Sequence, residues 1–149
     1  MKVHDLLRHK ARPVYTIGSN QSMAEAVNLM SSKKVSALIV TENDQPVGIF
    51  AERDVFRYYL REATTALSKI ALQKAMTANL IAADPEDDVE RILALMTKAD
   101  IKHLPVMKAE KLVGMLTLHD LIEHRIDSLT EENQRLKEYI DDLHDAGWD

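Results

Sequence analysis

Val47-Gly48-Ile49-Phe50-Ala51-Glu52-Arg53-Asp54 and Val113-Gly114-Met115-Leu116-Thr117-Leu118-His119-Asp120 stand 66 residues apart and share one pattern. Each opens on Val-Gly, runs through two apolar residues to Ala or Thr, and closes on Asp three positions later. The correspondence extends upstream without a gap. Leu29-Met30 falls on Leu95-Met96, Leu38 on Leu104 and Val40 on Val106; seven of 35 positions in residues 23–57 are identical in residues 89–123. Elsewhere one apolar residue exchanges for another, as Val35 does for Ile101 and Phe50 for Leu116. An ungapped apolar pattern of this kind marks a duplicated unit.

Both halves predict the same elements. Residues 14–17 form a short strand closed by Gly18-Ser19-Asn20. Met23, Ala26, Val27 and Met30 have the spacing of an amphipathic helix over residues 23–33. Residues 36–41 are a continuous apolar run, Asn43-Asp44-Gln45-Pro46 is turn chemistry, residues 47–50 are a second strand, and a helix runs from 52 to about 60. The second half predicts a strand at 80–83, a helix at 86–99 opened by Asp84-Pro85-Glu86, strands at 103–107 and 112–116, and a helix from Leu118. Residues 62–76 connect the halves and read as helical in their second part. The fold class is α/β (α+β): two β-α-β-β-α units, neither able to cover its sheet alone, packed about a pseudo-two-fold axis with a cleft between them, then a C-terminal helix. Domain boundaries fall at 3–62, 63–126 and 127–149.

Composition narrows the function. The chain has 149 residues and no Cys, which excludes disulfides, thiolate zinc sites and a cysteine nucleophile. No apolar run reaches membrane-spanning length, and the start lacks the pattern of a signal peptide, so the expected address is cytoplasmic, with no membrane partner. Net charge is −5, but residues 127–149 alone carry −6 and the rest +1. A nearly neutral body with an acidic tail is a poor match for nucleic acid, and an aromatic content of 5% offers no stacking platform.

The paired element Gly-h-h-Thr/Ser-x-x-Asp, complete in Gly114–Asp120 and carrying Ala51 in place of the hydroxyl residue in Gly48–Asp54, resembles that of a tandem pair of CBS (cystathionine β-synthase) domains, a Bateman module. Val35-Ser-Ala-Leu-Ile-Val40 and Ile101-Lys-His-Leu-Pro-Val106 resemble the family too. The resemblance covers residues 3–125. It implies regulatory binding of an adenosyl ligand in the cleft, AMP, ADP or ATP, with the Asp taking the ribose hydroxyls and the Thr meeting a phosphate. S-adenosylmethionine or a dinucleotide remains a third possibility.

The residue chemistry is compatible with those roles. An ionised carboxylate only accepts, which suits two hydroxyl donors. Thr117 stands where a helix begins, at the positive end of its dipole. Arg53, Lys102, His103 and His119 can neutralise phosphate. The second site is expected from His103, Leu104, Pro105, Thr117 and Asp120, with residues 81–83 (Ile81 and Ala83 among them) near the base. The first is expected from Thr16, Ala37, Leu38, Arg53 and Asp54. The hydroxyl missing at Ala51 removes a contact of about 1–3 kcal/mol, so the first site is expected to be weaker or empty. Plain structural readings stand beside these: Asp54, Asp120 and Thr117 as helix caps, Gly48 and Gly114 as strand-end residues, Arg53 and His119 as solvated charges, and His103 as a half-buried strand residue. His119 and His124, about 140° apart around a helix, do not make a metal site, and no catalytic signature is present. The chain is read as a non-enzyme with no cofactor.

Past Ile122, the residues Ile126, Leu129, Asn133, Leu136, Ile140 and Leu143 step by three and four. This is a heptad with Ile126, Asn133 and Ile140 at a and Leu129, Leu136 and Leu143 at d, which favours two parallel strands. A helix packed on its own units is the competing reading, and Ser128-Leu-Thr-Glu131 resembles a capping box that breaks the helix near Asp127. Two functions follow: a stand-alone nucleotide sensor in signal transduction, passing its state to an unknown protein partner, or a homodimeric adaptor with a vestigial cleft that recruits a partner through the tail.

Overall fold

The computed structural model describes residues 1–9, 12–61 and 64–147; Glu62 of the connector and Asp149 of the acidic tail lie outside the described residues. In the first unit, β1 (Thr16–Gly18), α2 (Met23–Lys33), β2 (Ala37–Glu42), β3 (Gln45–Ala51) and α3 (Glu52–Arg61) follow α1 (Val3–His9). A 3-10 turn (Leu67–Lys69) and α4 (Leu72–Ala75) make the connector. The second unit holds α5 (Val89–Ala99), β4 (His103–Lys108), β5 (Lys111–Thr117) and α6 (Leu118–Asp145). β1 pairs parallel with β2, and β2 antiparallel with β3. β4 and β5 pair antiparallel in the register of β2 and β3: Leu104 faces Leu116 as Leu38 faces Phe50, with a bulge at the same place.

The strand expected at residues 80–83 is reduced to one parallel bridge, Ala83 to Val106. In the first unit the Ser19 amide extends the pairing by donating to the Thr41 carbonyl at 2.9 Å. The equivalent residue is Pro85, which has no N–H to give. The helix expected from residue 86 begins at Val89 instead. The Asp84 carboxylate accepts from the Glu86 amide at 2.9 Å, which fixes 84–87 as a turn. The outward carbonyls of Pro85 and Asp87 then receive the His4 and Val3 amides at 3.0 and 2.9 Å.

Those bonds reveal an exchange between the units. Val3 and Leu6 of α1 are buried in the second core, among Val89, Ile92, Met96, Leu104, Leu116 and Leu121. Ile70, Leu72 and Ala75 of the connector are buried in the first, among Met23, Met30, Leu38 and Phe50. The two attachments match. Val89 N donates to Met1 O at 3.0 Å and Met23 N to Ile70 O at 2.8 Å. Each half therefore closes its core with a helix that comes from outside its own β-α-β-β-α run.

Both glycines of the repeated element sit under these segments. A Cβ on Gly48 would lie 2.8 Å from the Thr77 carbonyl oxygen and 2.7 Å from Met76 Sδ, and one on Gly114 would lie 2.9 Å from Leu7 Cδ2. The chain's own close approach demands glycine at 48, where the neighbour is backbone, and favours it at 114, where the neighbour is the end of a leucine.

α6 is continuous for 28 residues. The break expected near Asp127 does not occur: Thr130 Oγ1, the third residue of the supposed capping box, donates to the Ile126 carbonyl at 2.9 Å inside the helix. Nor does the helix fold back on its own units, since every residue from 129 to 142 is exposed.

Candidate functional site

The units meet around Ser36 and His103, whose Oγ and Nε2 are 2.8 Å apart. A cleft opens on each side, and His103 lines both. The first, about 450 Å³, is walled by Ile49, Ala51, Asp54 and Thr77 on one side and by residues 99–103 on the other. The second, about 270 Å³, is walled by Met115 and Thr117, by residues 12–15, and by residues 33–37. Adding 66 to Ile49, Ala51 and Asp54 gives Met115, Thr117 and Asp120; subtracting 66 from residues 99–103 gives 33–37. The clefts are one design related by the pseudo-two-fold. Each takes its Asp-bearing helix from one unit and its helix-to-strand loop from the other.

That composite character redistributes the expected site residues. Arg53, Asp54, Lys102 and His103 come together in the first cleft. Ala37, expected beside Asp54, lies with Thr117 and His103 in the second, and Asp120 reaches that cleft through Arg12. Leu38 and Leu104 are 0% exposed, one in each core. Ala83 and Pro105 are also buried, joined by the Ala83 amide donating to the Pro105 carbonyl at 2.9 Å. Thr16 is exposed and paired with Ile39. Ile81 is exposed and lines neither cleft. His119 is exposed, its Nε2 3.3 Å from Glu123 Oε1.

The two aspartates are buried, Asp54 to 4% and Asp120 to 1% exposure, and differently engaged. Asp54 Oδ2 accepts from the Ala51 amide at 2.9 Å and Oδ1 from Thr77 Oγ1 at 3.0 Å, with Arg57 Nη1 3.7 Å away. It therefore makes the reciprocal bond of a capping box, from the third position of α3 back to the Ala51 amide, while the bond that a hydroxyl at 51 would accept from the Asp54 amide is missing. At α6 the cap is Thr117, whose Oγ1 accepts from the Asp120 amide at 3.1 Å, so the Asp120 carboxylate is not needed as cap. It is held instead by Arg12, Nη2 to Oδ1 2.6 Å, a guanidinium that is itself half exposed.

The charge lining the clefts also differs. In the first, Arg53 spans the gap to the Asp100 carbonyl at 3.0 Å and its carboxylate at 3.4 Å, and Glu52, Asp54 and Asp100 balance Arg53, Arg57 and Lys102. Among the described residues the second cleft is lined by Arg12, Lys33 and Lys34, and Asp120, the acid behind the lining, pairs with Arg12 and leaves the two lysines in excess. Lys33 Nζ stands 5.5 Å from the Tyr15 ring centre. Lys34 and Asp100 are equivalent residues, both in the left-handed conformation that ends a helix (φ 56° and 55°), and each presents its charge to a cleft. Burial holds His103 below the ordinary 6.5 of histidine, with Glu52 opposing and Lys102 and Arg53 adding to the shift.

Arg12, Tyr15, Lys33 and Lys34 escaped the sequence reading. The signal was present in the repeat: Lys33-Lys34 aligns with Ala99-Asp100, a reversal of charge at a fixed helix end.

The chain belongs to the CBS domain family, whose model matches residues 3–61 and 69–127. It is 32% identical over 126 residues to the CBS domain-containing protein CBSX3, mitochondrial, of Arabidopsis thaliana. That alignment covers 82% of this chain and 61% of the relative, so the chain spans about three fifths of that protein's length. The crystal structure of the CBS-domain containing protein ATU1752 from Agrobacterium tumefaciens superposes with a TM-score of 0.78 at 29% identity, covering 84% of this chain and 99% of that one. The CBS domain pair of protein MJ0100, solved in complex with 5-methylthioadenosine and S-adenosyl-L-methionine, superposes with a TM-score of 0.73 at 25% identity, covering 86% and 98%. The arrangement is that of a CBS pair, a fold in which related proteins hold adenosyl ligands. Among the described residues no helix is long and apolar enough to cross a membrane.

Proposed function

We propose that this protein is a non-catalytic regulatory module that binds one adenine nucleotide in the second cleft and acts as an energy or metabolite sensor. The observation that carries this reading is the charge of that cleft: Arg12, Lys33 and Lys34 among the described lining residues, with Asp120 behind them as the acid paired to Arg12, over the N-terminus of α6 with its capping Thr117. Three cations and a helix N-terminus suit a phosphate chain better than a neutral thioether. Asp120 takes the ribose hydroxyls, and Arg12, which holds that carboxylate in the free protein, turns to the phosphates. AMP, ADP and ATP are the ligands proposed, with affinity rising with phosphate number. The first cleft stays empty, because Asp54 is committed to Ala51 and Thr77 and because its charges already balance.

Titration calorimetry and thermal shift with AMP, ADP, ATP, S-adenosylmethionine and NAD test this. One molecule bound per chain is expected, with affinity lost in Asp120→Ala and retained in Asp54→Ala. At a hundred times the dissociation constant, a ligand stabilises by about 2.7 kcal/mol, a rise of roughly 5–10 °C for a chain of this size. Lys34→Glu should weaken ATP more than AMP. No shift with any of the five compounds would leave the second reading, a dimeric adaptor that recruits a protein partner through α6. That reading draws on Asp54, which is spent on capping.

A further inference from the structure

We infer that a second copy of this chain docks along residues 126–143 of α6, parallel and in register, as a two-stranded coiled coil. In the single chain, Ile126, Leu129, Leu136 and Ile140 are each 46–57% exposed on a helix that has left its own units. Five a and d aliphatics on one stripe of a solvent-surrounded helix call for a partner of the same period.

The stripe itself specifies which partner. Asn133 is the single polar residue among the a positions. In a parallel pair it meets its own copy, and the two amides satisfy one another. In an antiparallel pair a positions face d positions, and Asn133 would be buried against leucine with its polar groups unmet. Charge agrees. Glu132 at g faces Lys137 at e of a parallel neighbour, while Arg125 faces Thr130 and Tyr139 faces His144, so no like-charge pair arises across the seam. The acids that make the tail negative (Asp127, Glu131, Glu138, Asp141, Asp142 and Asp145) fall on the b, c and f positions, away from it. An unrelated apolar groove would have no use for the Asn or for this partition of charge.

Three heptads are few for an isolated zipper. Here the helix is nucleated before the seam begins, because Asp120 and Leu121 are buried in the body and Arg125 Nη1 is fixed to Glu90 at 3.0 Å. Association therefore orders little that is not already helical.

The experiment is the mass and cross-linking of the full chain. Light scattering and sedimentation equilibrium should give a dimer. Leu136→Lys, on an exposed position that leaves the body intact, should raise the dissociation constant about thirtyfold or more, the scale of one lost interface anchor. Because the chain has no Cys, Leu143→Cys supplies the only thiol. A parallel pair brings the two copies within disulfide reach, and oxidation should yield a covalent dimer. A monomeric full chain, a dimer indifferent to Leu136→Lys, or cross-linking only when Leu143→Cys is mixed with Ile126→Cys would each overturn the inference, the last by showing antiparallel pairing.

Discussion

His103 is the residue on which the two clefts and the two units converge. Its Nε2 reaches Ser36 of the other unit, and burial keeps it below the ordinary 6.5 of histidine. The charged groups around it are Glu52 and Arg53 from α3 and Lys102 beside it. An unfolded chain therefore takes up the proton at a higher pH than the folded one. The stabilising effect is full above 6.5 and is lost as pH falls through the window between 6.5 and the lowered value. Melting temperature measured from pH 8 to pH 5 should drop in the acid half of that range. His103→Gln, which can still bond Ser36, should flatten part of that slope. An unchanged slope in the variant would remove His103 from the pH response. The same side chain shows what the sequence could and could not disclose. Its place at a strand start was legible from the repeat, whereas its contact with Ser36 joins positions 67 residues apart and has no local signature.

At the level of elements, the repeat made β2, β3, β4, β5, α2 and α6 readable, because each carries its own period or turn. The tight turns are an instance. Asn43-Asp44 adopts positive φ at both positions, as its residue types advertise, but Ala109-Glu110 does the same with φ of 49° and 64° and was placed only through its alignment with the first turn. What stayed hidden was α1 and the exchange with α4. Neither helix has a partner within its own segment, so no periodicity in Val3–His9 indicates that its seat is 80 to 120 residues away. The same blindness misassigned the clefts: Ala37 was grouped with Asp54 of its own unit, whereas the two-fold brings it to Thr117. Gly48 and Gly114 are where the exchanged segments cross the sheets, and their surroundings differ in how far they can yield. The Cβ of Gly48→Ala would meet a backbone carbonyl as well as Met76, whereas the atoms nearest to that of Gly114→Ala are all in the Leu7 side chain. Denaturant melts should show Gly48→Ala costing about 2–3 kcal/mol and Gly114→Ala about 1 kcal/mol, the two ends of the usual cost of overpacking. Equal costs would mean that the connector gives way as easily as a leucine rotamer.

Taken as a whole, the molecule has two cores and one chain that closes each with a piece from beyond its own unit. Leu6 is 2% exposed in the second core and Leu72 is 0% exposed in the first. If the second unit opened, α1 would lose its seat, and Arg12 would lose Asp120. If the first opened, α4 would be freed, and with it Thr77, the partner of Asp54. The Ser36–His103 contact and the Arg53 bridge to Asp100 break in either event. Opening one half alone thus frees the helix that closes it and breaks the contacts between the units, which makes the partly open state costly and the unfolding concerted. Calorimetry should give a single transition whose van't Hoff and calorimetric enthalpies agree. With about 0.7 kcal/mol per residue near 60 °C, that enthalpy should be on the order of 100 kcal/mol, against about half as much for units melting separately. Leu6→Ala and Leu72→Ala each leave a cavity costing about 2–5 kcal/mol. Each should lower the whole peak by a similar amount without splitting it. Two resolved peaks, only one of which moves in a given variant, would show that the exchanged helices decorate the units without coupling them.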